Sequence, residues 1–190
     1  GTVRDSEIVG CFADFGGGSS GSTLIGCRLA RNVATSFFSG GGGAAHATLE
    51  NCVLTDNLAL YGGGAIGGRL NNCTLTCNVA TRAGGGAYAG SLNNCIAQFN
   101  TAPQGANCEA ALLDTCCTTP LPVPSSGCFT ESPGLAGLRN PHLSQGSCCI
   151  DAANGTYVPA APDIDGDARC QGPAADVGAD EFTTGSCTGS

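Results

Sequence analysis

The sequence predicts an all-β fold, a parallel β-helix of about six stacked coils with an irregular, disulfide-stapled C-terminal cap. Three observations carry that prediction. A short motif recurs about every 21 residues, glycine runs at 16–18, 40–43, 62–64 and 84–86 forbid long helices across most of the chain, and fourteen cysteines are spread over 190 residues. A repeat of that length cannot bury its apolar side alone and must stack on its neighbours.

The repeat is read directly from the chain. Leu49-Glu50-Asn51-Cys52-Val53-Leu54-Thr55-Asp56-Asn57 returns as Leu70-Asn71-Asn72-Cys73-Thr74-Leu75-Thr76-Cys77-Asn78. Further copies start at Leu24 and Leu92, and weaker ones span Ile8 to Cys11 and Leu113 to Cys116. The cysteines at 11, 27, 52, 73, 95 and 116 are thus separated by 16, 25, 21, 22 and 21 residues. Coils occupy residues 1–117 in this reading, and the cap residues 118–190.

Within a coil, Cys-x-Leu points two side chains to one face, as the two-residue period of a strand requires. Stacked coils then place Cys11, Cys27, Cys52, Cys73, Cys95 and Cys116 in one interior column and the leucines in another. Asn32, Asn57, Asn78 and Asn100 close the segment and form a second ladder at a turn, where one amide bonds the amide of the next coil. Asn51, Asn72 and Asn94 mark another turn. The triplets at 41–43, 62–64 and 84–86 are a third corner, where only glycine allows positive φ or close backbone approach. From each ladder Asn to the first aligned Gly the count is nine, five and six residues, so length variation is confined to one corner.

Composition narrows the function classes. The net charge is −8, and all seven basic residues are Arg. Nucleic acid is therefore not an expected partner, since phosphate binding needs clustered cations. No apolar run approaches the roughly 18 residues that span a bilayer, so no transmembrane segment is expected. The cysteines lack paired zinc-finger spacing, which favours an oxidising, extracellular or cell-surface location. The start at Gly1 reads as a processed or trimmed product. Cys108, Cys117, Cys128, Cys148, Cys149, Cys170 and Cys187 are the candidates for bridges that staple the cap, in pairings that spacing does not select.

The pairing of Gly63-Gly64-Ala65-Ile66 with segments ending at Asn57 and Asn78 resembles the repeats of polymorphic outer-membrane proteins. The order Pro141-His142-Leu143-Ser144, Cys149-Ile150-Asp151-Ala152, Asp163-Ile164-Asp165-Gly166-Asp167-Ala168-Arg169 and Asp176-Val177-Gly178-Ala179-Asp180-Glu181-Phe182 resembles the end of a choice-of-anchor Q type domain. Ala153 stands where that family often has Gly. The resemblance implies a secreted, right-handed β-helix of a bacterial surface and no defined activity.

Several constellations bear on chemistry. Asp163, Asp165 and Asp167 alternate, and with Asp180 they are candidate oxygen ligands for calcium. The competing reading has them bonding turns and Arg169. A carbohydrate-active β-helix, lyase or hydrolase, needs convergent carboxylates, and residues 22–100 hold only Glu50 and Asp56. That activity is the rival reading, and a non-enzymatic role leads. His46 reads as an exposed turn residue and His142 as part of a structural motif. The sequons Asn72-Cys73-Thr74 and Asn154-Gly155-Thr156 matter only in a eukaryotic secretory route.

The variable corner carries Phe37, Phe38, Tyr61 and Arg82, the candidate contact residues for a partner. The first coil offers bare strand edges, which template pairing with other strands. A head-to-tail homo-oligomer or filament is therefore the expected assembly, with adhesion to a host or polysaccharide surface as a further use.

Overall fold

Four columns of left-handed backbone shape the molecule. One holds Asp5, Gly26, Asn51, Asn72, Asn94, Thr115 and Gly127, with φ between +44° and +61°. A second holds Gly10, Arg31, Asp56, Cys77 and Phe99, a third Gly16, Gly41, Gly62, Gly84 and Gly105, and a fourth Gly21, His46, Gly67, Ala89 and Ala110. Each is a corner at which the strand turns through a single residue, and Gly and Asn are common there because they tolerate that conformation best. Four corners per coil give four sides. The computed structural model describes residues 1–36 and 40–183.

The sides are parallel sheets. The first runs from Thr2–Arg4 through Thr23–Ile25, Thr48–Glu50, Arg69–Asn71, Ser91–Asn93 and Leu112–Asp114 to Ser125–Ser126. The second contains Glu7–Val9, Arg28–Ala30, Val53–Thr55, Thr74–Thr76, Ile96–Gln98 and Cys117–Thr118. The third contains Phe12–Ala13, Val33–Ala34, Leu58–Tyr61 and Val79–Ala83, and the fourth joins short strands from Ser19–Ser20 to Cys108–Glu109. Together they form a β-solenoid of about five turns. The expected sixth coil is incomplete: from Cys116 the chain reaches the equivalent Cys128 after 12 residues, bypassing the third and fourth sides.

The interior is built of columns. Leu24, Leu49, Leu70, Leu92 and Leu113 stack on the first side, Leu29, Leu54 and Leu75 on the second, and Ala44, Ala65 and Ala87 on the fourth. Cys27, Cys52, Cys73, Cys95 and Cys116 are fully buried between the leucine columns. The Cys52 sulfur accepts the backbone N–H of Cys27 at 3.4 Å, and Cys95 and Cys116 repeat the contact with Cys73 and Cys95.

Two ladder assignments are corrected. Cys11 is exposed and lies in the asparagine column, its N–H donating to Asn32 Oδ1 at 2.9 Å. Glu7 pairs with Arg28, so Ser6 holds the cysteine position of the first coil. The irregular step of 16 residues was a five-residue misregister, and 6 to 27 restores 21. At the other end, Cys128 continues the column, its sulfur accepting the Cys116 N–H at 3.2 Å.

The expected disulfide staples are not formed: every cysteine among the described residues is free. Cys108 sits in the interior alanine column, paired in register with Ala87, and burial pushes its thiol up to about 12. Cys117, Cys128, Cys148, Cys149 and Cys170 are likewise unpaired, and Cys187 lies outside the described residues.

The C-terminal segment packs along the flank of the solenoid rather than over its last coil. Ile96 and Cys117, on the outer face of the second side, join Leu143, Cys149 and Val177 in a second apolar cluster. Val53, Thr55, Thr74, Thr76 and Gln98 of the same side are buried as well. A sheet with one face on the core and the other under the cap is buried on both faces, which is why Val53-Leu54-Thr55 does not alternate cleanly in burial.

Candidate functional site

The densest polar chemistry lies in the seam between cap and second side. Asp163 Oδ1 accepts the N–H groups of Asp165 and Asp167 at 2.9 and 2.8 Å, and its Oδ2 accepts that of Glu181 at 2.9 Å. Asp176 takes N–H bonds from Asp151 at 2.7 Å and Phe182 at 2.6 Å. Glu181 accepts from Gln171 and Asp176, with Arg169 Nε 3.7 Å away. Burial pushes the Asp176 carboxyl up to about 6, and burial also raises that of Asp180. These groups organise a loop that no regular strand holds.

The four candidate calcium ligands do not meet at one point. Both Asp163 oxygens face backbone N–H groups, and Asp167 joins no cluster of ligating side chains. Asp165 and Asp180 converge instead on His142, whose Nδ1 is 3.1 Å from Asp165 Oδ2 and 3.0 Å from Asp180 Oδ1. Arg28 Nη2 of the solenoid lies 3.2 Å from the other Asp165 oxygen. Alternation in sequence did not translate into a shared shell, because the segment turns at Gly166, with φ +95°, rather than running as a strand. His142 was legible only as a motif residue; its carboxylate partners lie 23 and 38 residues downstream.

The cap also reads the asparagine corner of the solenoid. Asn72 Nδ2 donates to Tyr157 O at 2.8 Å, and Asn94 exchanges two bonds with Asn154, at 3.0 and 2.8 Å. Asn51 Nδ2 reaches Pro162 O at 2.5 Å. Asn71 and Asn93 bond each other on the first side. The column of Asn51, Asn72 and Asn94 thus holds only one side-chain rung of its own, Asn94 Nδ2 to Asn72 Oδ1 at 3.2 Å.

No protein-family model, curated protein or solved structure matches this chain. The fold and the surfaces therefore carry the functional reading.

Two surfaces stand out. Phe12, Val33, Leu58 and Val79 lie in register on the third side, and three of them are exposed, Phe12 by 73%. This stripe was not singled out in the sequence, although each member directly follows a position of the asparagine column, 11, 32, 57 or 78. Of the contact residues that were, Tyr61 is half-buried with its ring 5.0 Å from that of Tyr88, and Arg82 is exposed. Phe37 and Phe38 lie outside the described residues. The one-residue difference between the corners after Asn57 and Asn78 is absorbed by a bulge at Ala59–Tyr61 against the next strand. The second surface is the first coil, whose outer strand edges are unpaired among the described residues and where Val3, Val9 and Phe15 are also exposed. His46 is an exposed corner residue at φ +49°.

Among the described residues no helix is long and apolar enough to cross a membrane.

Proposed function

We propose that this chain is a non-enzymatic structural solenoid of a bacterial surface or appendage, a choice-of-anchor Q type β-helix whose coils stack end to end with those of further copies. The observation that carries the reading is Phe12. It stands on the first coil, whose outer strand edge is unpaired among the described residues, and heads the apolar stripe that continues through Val33, Leu58 and Val79. An unpaired strand edge offers a row of backbone donors and acceptors to another strand, and exposed apolar side chains beside it add area that water disfavours. The seam carboxylates Asp163, Asp176 and Glu181 accept backbone N–H groups, which suits a structural rather than a catalytic use. Extracellular placement, the right-handed sense and the family itself rest on the motifs in the sequence.

Electron microscopy and sedimentation of the purified chain test the reading. Filaments or concentration-dependent oligomers are expected, and Phe12→Lys, at a residue already exposed, disperses them. A wild-type chain that stays monomeric at high concentration overturns it.

A further inference from the structure

We propose that Cys117, Cys148 and Cys149 form a binding site for one zinc ion, which clasps the cap to the flank of the solenoid. The three sulfurs all lie within 4.8 Å of one another. They come from two distant parts of the chain: Cys117 from the last strand of the second side, Cys148 and Cys149 from a turn in the cap. Ser147 Oγ accepts the Cys149 N–H at 3.1 Å and tightens that turn, so that neighbouring residues present their sulfurs to a common point.

The burial suits a metal. Cys117 and Cys149 are fully buried, while Cys148 is half-exposed. Three thiolates at zinc–sulfur distances of about 2.3 Å sit about 3.8 Å apart around a tetrahedral ion, so closure needs movements of about 1 Å or less. Cys148 is only partly buried, which leaves a fourth position for water, as in zinc sites with three protein ligands. A disulfide would join two of these sulfurs and leave the third idle, and none of the three is bonded. Three thiolates grouped with Ile96, Leu143 and Val177 need a compensating cation, and a divalent ion offsets more of that charge than a monovalent one.

Binding exchanges protons for metal and involves no redox change. Each thiol releases its proton to buffer, three zinc–sulfur bonds form, and the hydrated ion gives up all but one water. The thiol contacts to the Glu131 and Ser132 carbonyl oxygens, at 3.3 and 3.2 Å, are given up in the process. Because the ion binds the assembled site, it stabilises the docked cap by mass action.

Cobalt(II) titration of the reduced, metal-free full chain tests the site. A thiolate-to-cobalt charge-transfer band that saturates at one equivalent and is bleached by zinc is expected. Cys148→Ser, at the half-exposed ligand, weakens binding at least tenfold, while Cys170→Ser leaves it unchanged; circular dichroism checks that both variants fold. Zinc raises the melting temperature of the wild type and not of Cys148→Ser. Three results overturn the proposal: absence of stoichiometric uptake by the folded, reduced wild type; uptake of copper(I) but not zinc; or peptide mapping that finds Cys117 in a disulfide with Cys148 or Cys149 in the protein as purified.

Discussion

Asn78 and Asn100 are joined by a pair of hydrogen bonds: Asn100 Oδ1 accepts both the backbone N–H of Asn78, at 2.9 Å, and its side-chain Nδ2–H, at 3.0 Å. The second Nδ2 proton goes to Leu54 O at 2.9 Å. The same pattern links Asn32 to Asn57 and Asn57 to Asn78. At the far end Asn107, which occupies a glycine position in the corner, turns its amide inward to serve Asn100 and Thr119. The ladder satisfies backbone groups that the corner removes from the sheets.

Asn78→Ala removes the acceptor for Asn57 and the donor to Leu54 in a fully buried place. Each orphaned buried group costs about 1–3 kcal/mol, so urea unfolding is expected to show a loss of about 3 kcal/mol. Asn78→Asp fares no better, since a carboxylate oxygen in place of Nδ2 faces the Leu54 and Asn100 oxygens.

The glycine triplets differ in what they require. Gly62 needs its φ of +60°, whereas a Cβ on Gly64 would stand 2.5 Å from Gly86 O of the next coil. Gly64→Ala therefore forces the coils apart, and a loss of about 3 kcal/mol is expected, at the upper end for overpacking. Gly155→Ala, with nothing within 4 Å of its Cβ, is the control and should stay within about 0.5 kcal/mol of wild type.

Asp176 makes stability depend on pH in a definite sense. Its folded carboxyl titrates at about 6, above the ordinary value of 3.8, because burial disfavours the charge. Between those values the folded state holds the proton more tightly than the unfolded one. Its contribution is thus full below about pH 4 and lost as pH rises through 6; Asp180 acts in the same direction. Urea midpoints should rise from pH 7.5 to pH 5 by an amount corresponding to about 1.4 kcal/mol from Asp176, and Asp176→Asn should flatten the change. A midpoint that falls over this interval contradicts the assignment.

Thiol labelling separates the cysteines by environment. Cys11 and Cys170 are exposed and should alkylate readily in the native protein, while Cys27, Cys52, Cys73 and Cys95 should not. Cys128 is distinct: a hydrogen bond from Cys116 lowers its thiol to about 7, so its rate should titrate near that pH. Mass mapping of alkylated peptides reads all of these at once.

The solenoid was legible because its columns are local arithmetic. A leucine three residues before a cysteine and an asparagine five after it recur with the coil, and any stacking in register superposes them. Cys11 was misplaced because the first coil carries Ser6 and Cys11 where later coils carry Cys and Asn, and identity of residue type masked a shift of five. Cys128 was missed because its coil is 12 residues long and obeys no period. The candidate site was legible only as a set of acidic residues, not as a geometry.

The repeat period by itself determined the parallel stack, its buried leucine and cysteine columns and its asparagine ladder, since each coil repeats one pattern of side-chain direction and turn. Tertiary structure alone decided where residues 129–183 lie, that His142 gathers Asp165 and Asp180, and that Cys117 meets Cys148 and Cys149. Those meetings join aperiodic segments to a flank of the stack, and their partners are chosen by packing and hydrogen bonding in three dimensions, which spacing along the chain does not encode.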